Sequence, residues 1–512
     1  MGIGQAIFRA DASVSLGTGH IVRCLTLAGE LFARGVEIRF ITNKLPEQIA
    51  SQIEDEFKYE LYQVGESEKT GEEALALVKK LNGNDKASLL VVDHYGIDKT
   101  WESQARKHCD TLLVIDDLAD RAHDCDFLLD TNILPDFYTR YDRLVPTTCR
   151  KLLSPHYALL KREFRINRKK CFPESVTKIL ISLGGTDPDN QTATVIEALS
   201  PLLKGEISLD VVLGAANPNL ENLLEKYHEF RGIRFHVQTN KMAELMAGAD
   251  LFVGSGGTIT WERCCIGLPS LVIAIAANQE PASRMLAELG GAKYLGLSTD
   301  ITQGKILSAV REMLNDPKTL KDMAEIGQML VDGQGAMRVA DAVLNDGARC
   351  EELSGDRSLI LRDATSNDLK QYFEWANDPE VRMRSYNAGK IGLEEHQTWF
   401  NRKLSSKESK LYVLELDGTP VGQIRFEVDE QRGAEIAFSV DGTYRGKGLG
   451  KWILRAGARK VRSDLKNPSL HVFGNVMVEN QPSAKAFVAS GYSLSGRSII
   501  KGKDSYTFSF VE

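Results

Sequence analysis

The stretch Gln5-Ala6-Ile7-Phe8-Arg9-Ala10-Asp11, followed by Gly17-Thr18-Gly19-His20 and an amphipathic run over 21–33, decides the architecture. A short apolar strand enters a glycine-bearing turn, and the turn opens a helix. Glycines let a ligand approach the backbone closely. Free N–H groups at a helix start favour a phosphate or another anion. His20 stands at that start and is a candidate general base, because an imidazole titrates near neutrality. A structural histidine donating to a neighbouring carbonyl carries the same sequence signature.

Working outward, strand-like runs recur at 36–41, 89–92, 111–115 and 127–129, with helical periodicity between them, as over 72–81. This alternation predicts a parallel sheet covered by helices over residues 1–165. A second such series begins at Val176, with strands expected over 178–183, 207–213, 233–237, 251–253 and 270–275 and a helical tail over 302–345. Residues 166–345 therefore read as a second doubly wound unit. In sheets of this kind ligands sit at the carboxyl ends of the strands. Between the series lies a basic stretch, 161–170, with six Lys or Arg residues, which reads as a solvated linker or an exposed helix. The polar run 346–357 reads as a linker. From 358 to 512 the pattern changes: a strand over 359–362, a helix, then a meander over 411–416, 420–428 and 434–440. That is α+β, a separate domain. A chain of 512 residues exceeds what one core supports, about 250–300 residues.

Composition narrows the function. Lys plus Arg is 63 and Asp plus Glu is 70, a net charge of −7. No basic excess exists to hold a nucleic acid or an anionic membrane by charge, so small molecules are the expected partners. The eight cysteines include no CxxC pair, so neither a zinc site nor a disulfide framework is expected and no metal is predicted. The longest apolar runs, such as 270–277, fall far short of the roughly 20 residues that span a bilayer. With no secretion signal at the N-terminus, a soluble cytoplasmic protein is expected. Oligomeric state is not legible.

Two further loops carry chemistry. Ser182-Leu183-Gly184-Gly185-Thr186-Asp187-Pro188 reads either as a nucleotide-phosphate loop or as a tight βα turn. Gly254-Ser255-Gly256-Gly257-Thr258-Ile259-Thr260-Trp261-Glu262, with Gly267-Leu268-Pro269-Ser270 and Asn278-Gln279 after it, again brings a strand to a glycine loop at a helix start, which suits a diphosphate. Glu262, one turn into that helix, can bind ribose hydroxyls or simply pair with the helix dipole.

Taken in order, these motifs resemble the UDP-sugar hydrolases of pseudaminic acid biosynthesis over about residues 4–345. Those enzymes release UDP from UDP-2,4-diacetamido-2,4,6-trideoxy-β-L-altropyranose and are similar to GT-B glycosyltransferases. Asp93-His94-Tyr95, Trp101-Glu102, His156-Tyr157-Ala158-Leu159-Leu160 and Glu163-Phe164 fit the same resemblance. It implies two Rossmann-like lobes with Gly257, Thr258, Glu262 and Asn278 at the UDP site. It implies His20 as the base that activates water against the anomeric carbon, with inversion. Loop amides over Gly17 to Gly19 and Gly256 to Thr258 would stabilise the departing diphosphate, and Asp11 and Tyr95 would line the sugar pocket. His94 reads as structural.

In the third unit, Ala437-Phe438-Ser439-Val440 precedes Arg445-Gly446-Lys447-Gly448-Leu449-Gly450 and a helix. That places a row of N–H groups toward a pyrophosphate. With Asn480-Gln481-Pro482-Ser483, Phe487 and Gly491-Tyr492, the segment resembles the GNAT acetyltransferases. Its upstream stretches 375–382 and 391–400 resemble the branch that acetylates the 4-amino group of the UDP-sugar one step earlier in that pathway. The resemblance implies acetyl-CoA as cosubstrate, with Phe438, Ser439 and Val440 along the pantetheine, Arg445, Gly446, Lys447, Gly448, Leu449 and Gly450 at the pyrophosphate, and Asn480 and Ser483 near the thioester. One departure stands out: Phe487 occupies the position of a tyrosine acid, and a phenyl ring cannot protonate a thiolate. Glu435 is a candidate base acting through water, and His396 is another. Taken together, a bifunctional enzyme is expected. The rivals are a GT-B glycosyltransferase with an acceptor other than water, and a third unit that acetylates another amine or only senses acetyl-CoA.

Overall fold

The protein is described by a computed structural model covering residues 3–11, 19–65, 70–81, 88–172, 174–205, 207–344 and 359–511. The chain divides into two compact units, Met1–Ala348 and Arg349–Glu512. The linker expected over 346–357 lies outside the described residues.

The first unit holds two parallel sheets. The strands of the first are β1 (Gln5–Ala10), β2 (Glu37–Thr42), β3 (Glu60–Gln63), β4 (Ser88–Asp93), β5 (Thr111–Ile115), β6 (Phe127–Asp130) and β7 (Arg150–Leu153), in the order β3-β2-β1-β4-β5-β6-β7. Those of the second are β8 (Lys178–Ser182), β9 (Ser208–Leu213), β10 (Ile233–Val237), β11 (Leu251–Ser255), β12 (Ser270–Ala274) and β13 (Lys293–Leu297), in the order β10-β9-β8-β11-β12-β13. Both are doubly wound, as expected. Their strand order reverses between β1 and β4 in one and between β8 and β11 in the other, which opens a crevice at each switch point. Every residue of β1, β4 and β11 is buried, so these strands read as continuous apolar runs rather than alternating ones. The structure adds β3, β7 and β13. They are short, and β3 and β7 carry charged side chains that weaken an apolar pattern.

One expectation gains detail and another changes. The tail over 302–345 is three helices, Gln303–Leu314, Pro317–Leu330 and Gly335–Leu344. Pro317 sits at the start of the second, where its missing N–H costs nothing, and Gly333 adopts a φ of 76° before the third. The third returns to the first lobe: Arg338 donates to the His156 carbonyl and pairs with Asp332, while Arg34 reaches Asp341. The basic stretch 161–170 is not a solvated linker. Lys169 N–H donates to the Ile266 carbonyl, and Arg168 donates to the carbonyls of Gln328 and Val331. These carbonyls end the helices Ile259–Ile266 and Pro317–Leu330, where C=O groups lack helical partners and cations are favoured. Burial lowers Lys169 to about 8.

The second unit is one mixed sheet: β14 (Leu359–Asp363), β15 (Ser409–Leu416), β16 (Thr419–Asp429), β17 (Gly433–Val440), β18 (Val472–Met477), β19 (Tyr492–Ile500) and β20 (Lys503–Phe510), in the order β14-β15-β16-β17-β18-β20-β19. All pairs are antiparallel except β17 with β18. No helix among the described residues is long and apolar enough to cross a membrane.

Candidate functional site

In the first lobe the helix Gly19–Phe32 starts directly above the β1/β4 switch point, and β4 ends there at Asp93. His20 Nδ1 lies 2.6 Å from Asp93 Oδ1. Arg23, three residues along the same helix face, donates to both Asp93 oxygens, at 2.5 and 2.6 Å, and reaches Asp117 at 3.3 Å. Burial alone would raise the Asp93 carboxyl, but Arg23 and His20 bring it down to about 2. An ionised carboxylate only accepts hydrogen bonds, so Nδ1 carries a proton toward Asp93, while Arg23 Nη2 lies 3.1 Å from the same nitrogen. Tyr95 packs edge-on against the His20 ring, centroids 4.7 Å apart. Burial, with the charge of Asp117 beside it, pushes its phenol above the usual range. The geometry is that of an imidazole whose orientation is fixed through Nδ1, with Nε2 the nitrogen that Asp93 does not engage.

Asp11, expected at the sugar pocket, is buried and hydrogen-bonded within the lobe. Its oxygens accept from Arg9, from the Asn43 N–H at 2.7 Å and from His94 Nε2 at 2.9 Å. Burial opposes ionisation, yet His94 and Arg9 hold the carboxyl far below the usual range. This carboxylate is committed to joining β1, β2 and the end of β4. His94 is likewise satisfied, because its Nδ1 accepts from Gly96 N–H at 2.9 Å. Gly17 lies outside the described residues; Gly19 is described.

The second lobe brings its own glycine loop to the same crevice. A Cβ added to Gly19 would stand 3.7 Å from the Thr258 methyl, so the loop after β1 faces the loop after β11. Gly254 and Gly256 tolerate no side chain: a Cβ would fall 2.0 Å from the Ser182 carbonyl oxygen in one case and 2.3 Å from Ser283 Oγ in the other. Glu262 lies in the first turn of the helix Ile259–Ile266, and burial pushes its carboxyl up to about 7, with Lys161 opposing. Asn278 is exposed, whereas its neighbour Gln279 brings its amide nitrogen within 3.5 Å of a Cβ on Gly257 and accepts from Ile275 N–H at 3.1 Å. The Gly184–Asp187 loop is the tight turn: Asp187 accepts from the N–H groups of Gln191 and Thr192, both at 2.9 Å, and so caps the next helix.

Three residues here were missed by the sequence reading. Asp93 offered a signal, as an acid at the carboxyl end of a strand beside the switch point. Arg23 and Gln279 offered only proximity to a motif.

In the second unit β17 and β18 pair only through Ala434–Val472, Glu435–Phe473 and Ile436–Gly474 and then part. Beyond Ile436 the β17 edge is therefore unpaired toward β18, and an extended ligand backbone can hydrogen-bond there. The parted strands line a cavity of about 860 Å³. Of the residues expected at acetyl-CoA, Phe438, Ser439, Val440, Arg445, Gly446, Leu449, Gly450, Asn480 and Ser483 line it; Lys447 and Gly448 do not. Gly448 adopts a φ of 81° where the helix Leu449–Asp464 begins. Arg445 is already paired with Asp378, at 2.9 Å, and with Glu380. Asn480 caps the helix Gln481–Ala489 by accepting from Ser483 N–H.

Glu435 faces the cavity and is held by a relay across three strands. Asn475 donates to Glu435 Oε1 at 2.8 Å, and the Thr507 hydroxyl donates to the Asn475 carbonyl at 2.8 Å. His396 is removed from the chemistry. It packs among Phe373, Trp399 and Phe400, only 3% exposed, and burial lowers its pKa. Phe487 stacks on Phe508 and meets Tyr492 edge-on, and its ring tip would meet a Cβ on Gly474 at 2.4 Å.

Comparison with known proteins follows the two units. Residues 358–493 match the acetyltransferase (GNAT) domain family. The UDP-2,4-diacetamido-2,4,6-trideoxy-beta-L-altropyranose hydrolase of Campylobacter jejuni is 28% identical over 290 residues, 56% of this chain and 97% of its own. An uncharacterized protein of Methanocaldococcus jannaschii is 24% identical over 513 residues, 94% of this chain and 95% of its own. Among solved structures, MurG of Acinetobacter baumannii aligns with a TM-score of 0.46 at 14% identity, over 66% of this chain and 99% of that one. The chain is thus homologous to a nucleotide-sugar hydrolase and carries a GNAT acetyltransferase domain.

Proposed function

We propose that the chain carries out two consecutive steps on one nucleotide sugar. The second unit transfers acetyl from acetyl-CoA to the 4-amino group of a UDP-amino-sugar. The first unit then hydrolyses the acetylated UDP-sugar to UDP and free sugar. The observation that carries the reading is the His20–Asp93 pair at the β1/β4 switch point, facing the Gly256–Thr258 loop across the crevice.

In this reading the His20 Nε2 lone pair takes a proton from water as the water oxygen bonds to the anomeric carbon. The bond from that carbon to the diphosphate oxygen breaks on the opposite face, so the configuration inverts. UDP is a good leaving group, so donors that stabilise its charge suffice. Amides of Gly256 to Thr258 supply them, and Glu262 accepts from the ribose. Asp93 and Arg23 are positioning residues. At the second site Glu435 accepts the proton of the attacking amine through water, and Asn475 with Thr507 keeps its carboxylate aimed. With Phe487 in the acid position, the thiolate leaves toward water.

The test is anion-exchange chromatography of the full chain incubated with UDP-4-amino-4,6-dideoxy-L-AltNAc, with and without acetyl-CoA. UDP is expected only when acetyl-CoA is present. In His20→Ala the acetylated UDP-sugar accumulates, with UDP release reduced about 10²–10⁴-fold. UDP release that ignores acetyl-CoA, or a wild type that stops at the acetylated UDP-sugar, defeats the proposal.

A further inference from the structure

The acetyltransferase cavity contains two arginines that form no ion pair among the described residues. Arg382 and Arg425 both line it. Arg382 hydrogen-bonds only to neutral groups, the carbonyls of Asn387 and Gly389 and the Ser385 hydroxyl, and its Nε is buried with no partner. Arg425 rests against the Trp399 ring, 5.1 Å from its centroid, and among the described residues it forms no ion pair. The acids nearby are occupied. Glu380 holds Arg384 and Arg445, and Glu427 holds Lys403 and Ser409. Burial lowers the pKa of both guanidiniums; at Arg425 the Tyr372 hydroxyl and Glu427 oppose the shift and the charge of Arg382 adds to it. Both side chains are half-buried at the cavity wall, with no carboxylate bonded to them among the described residues. Their planar donors match the oxygens of a phosphate or diphosphate.

The register places this cationic site relative to the base. Arg425 pairs with Ala437 and Glu427 pairs with Glu435, so Arg425 and Glu435 are diagonal neighbours on one face of the sheet. Such neighbours lie about 7–8 Å apart. That separation is on the scale of a pyranose ring carrying an amine at one end and a glycosidic oxygen at the other.

We propose that Arg382 and Arg425 form the anion clamp of the acceptor site, binding the diphosphate of a nucleotide-linked amine so that its amino group reaches Glu435. Trp399 fixes the plane of the Arg425 guanidinium. The acceptor is thereby selected as an anion, and cationic polyamines are repelled. The inference rests on the acetyltransferase reading above and names the part of the cavity that recognises the acceptor.

The experiment uses the full chain with His20→Ala, so that acceptor is not hydrolysed. CoA release is measured with the UDP-linked 4-amino sugar and with the same amino sugar lacking UDP. Arg425→Met and Arg382→Met are each expected to raise KM for the UDP-linked acceptor at least tenfold while KM for acetyl-CoA stays within twofold. The preference for the UDP-linked over the free amino sugar falls by the same factor, and Arg425→Lys recovers part of it. Equal losses on both acceptors, or a rise in KM for acetyl-CoA alone, overturn the clamp and leave the two-step reading standing. If the parent chain releases no CoA with the UDP-linked sugar, the two-step reading fails, and the clamp is tested by itself. Inorganic pyrophosphate is then titrated into chain saturated with acetyl-CoA, reading the fluorescence change that is lost in Trp399→Phe. A change that also disappears in Arg425→Met supports the clamp; no change refutes it.

Discussion

Asp93 shows how one side chain assigns the chemistry of another. It is buried at the end of β4, ionised, and shared between Arg23 and His20. Arg23 neutralises most of its charge, and what remains is direction: a fixed acceptor for Nδ1–H. Asp93→Asn offers an amide in place of the carboxylate and can present a donor to Nδ1, which permits the wrong tautomer. Its kcat for UDP release is expected to fall about 10²–10⁴-fold. Because Asp93 acts through His20, the same change in a His20→Ala background is expected to cost less than about threefold further. Steady-state rates of the two single variants and the double variant decide this. Fully additive losses would mean that Asp93 contributes independently of the histidine. Asp11, also buried and ionised, accepts from Arg9, the Asn43 N–H and His94 and so joins the ends of β1, β2 and β4.

At the scale of elements, the helix Gln481–Ala489 and β18 fit each other through one glycine. Gly474 has no side chain, and the Phe487 ring fills the space with its tip toward the strand. A tyrosine hydroxyl in that pose would extend into the β18 backbone. Phe487→Tyr is therefore expected to lower stability by about 1–3 kcal/mol, the usual penalty for overpacking, with no gain in CoA release. Thermal unfolding and steady-state acetyl transfer check both halves. A faster, equally stable variant would show that the site lacks only an acid. The basic stretch 161–170 makes a related point. Its charges looked like a solvated face, but they end helices of the second lobe, and their function is to satisfy carbonyls that the helices cannot.

At the scale of the whole molecule, each candidate site is described within its own compact unit. Under the two-step proposal the acetylated UDP-sugar is expected to pass through solution. Mixing full-length His20→Ala with full-length Glu435→Gln is expected to restore UDP release that neither gives alone, after a lag that shortens as the His20→Ala chain is increased. No UDP from the mixture would mean that the intermediate is not shared between chains.

The sequence by itself determined the three α/β and α+β segments, both doubly wound lobes and the glycine loops. These depend on local signals: apolar runs of strand length, helical periodicity, and glycines where a Cβ would collide with backbone. His20, Glu262 and Glu435 were legible because each sits at a fixed offset from such a signal. What only the tertiary structure decided is which side chains meet. Asp93 reaches His20 across 73 residues and Asn475 reaches Glu435 across 40. Arg382 is left without an acid because Glu380 turns to Arg384 and Arg445. Pairing depends on how sheets and helices pack, and charge or spacing along the chain carries no record of it.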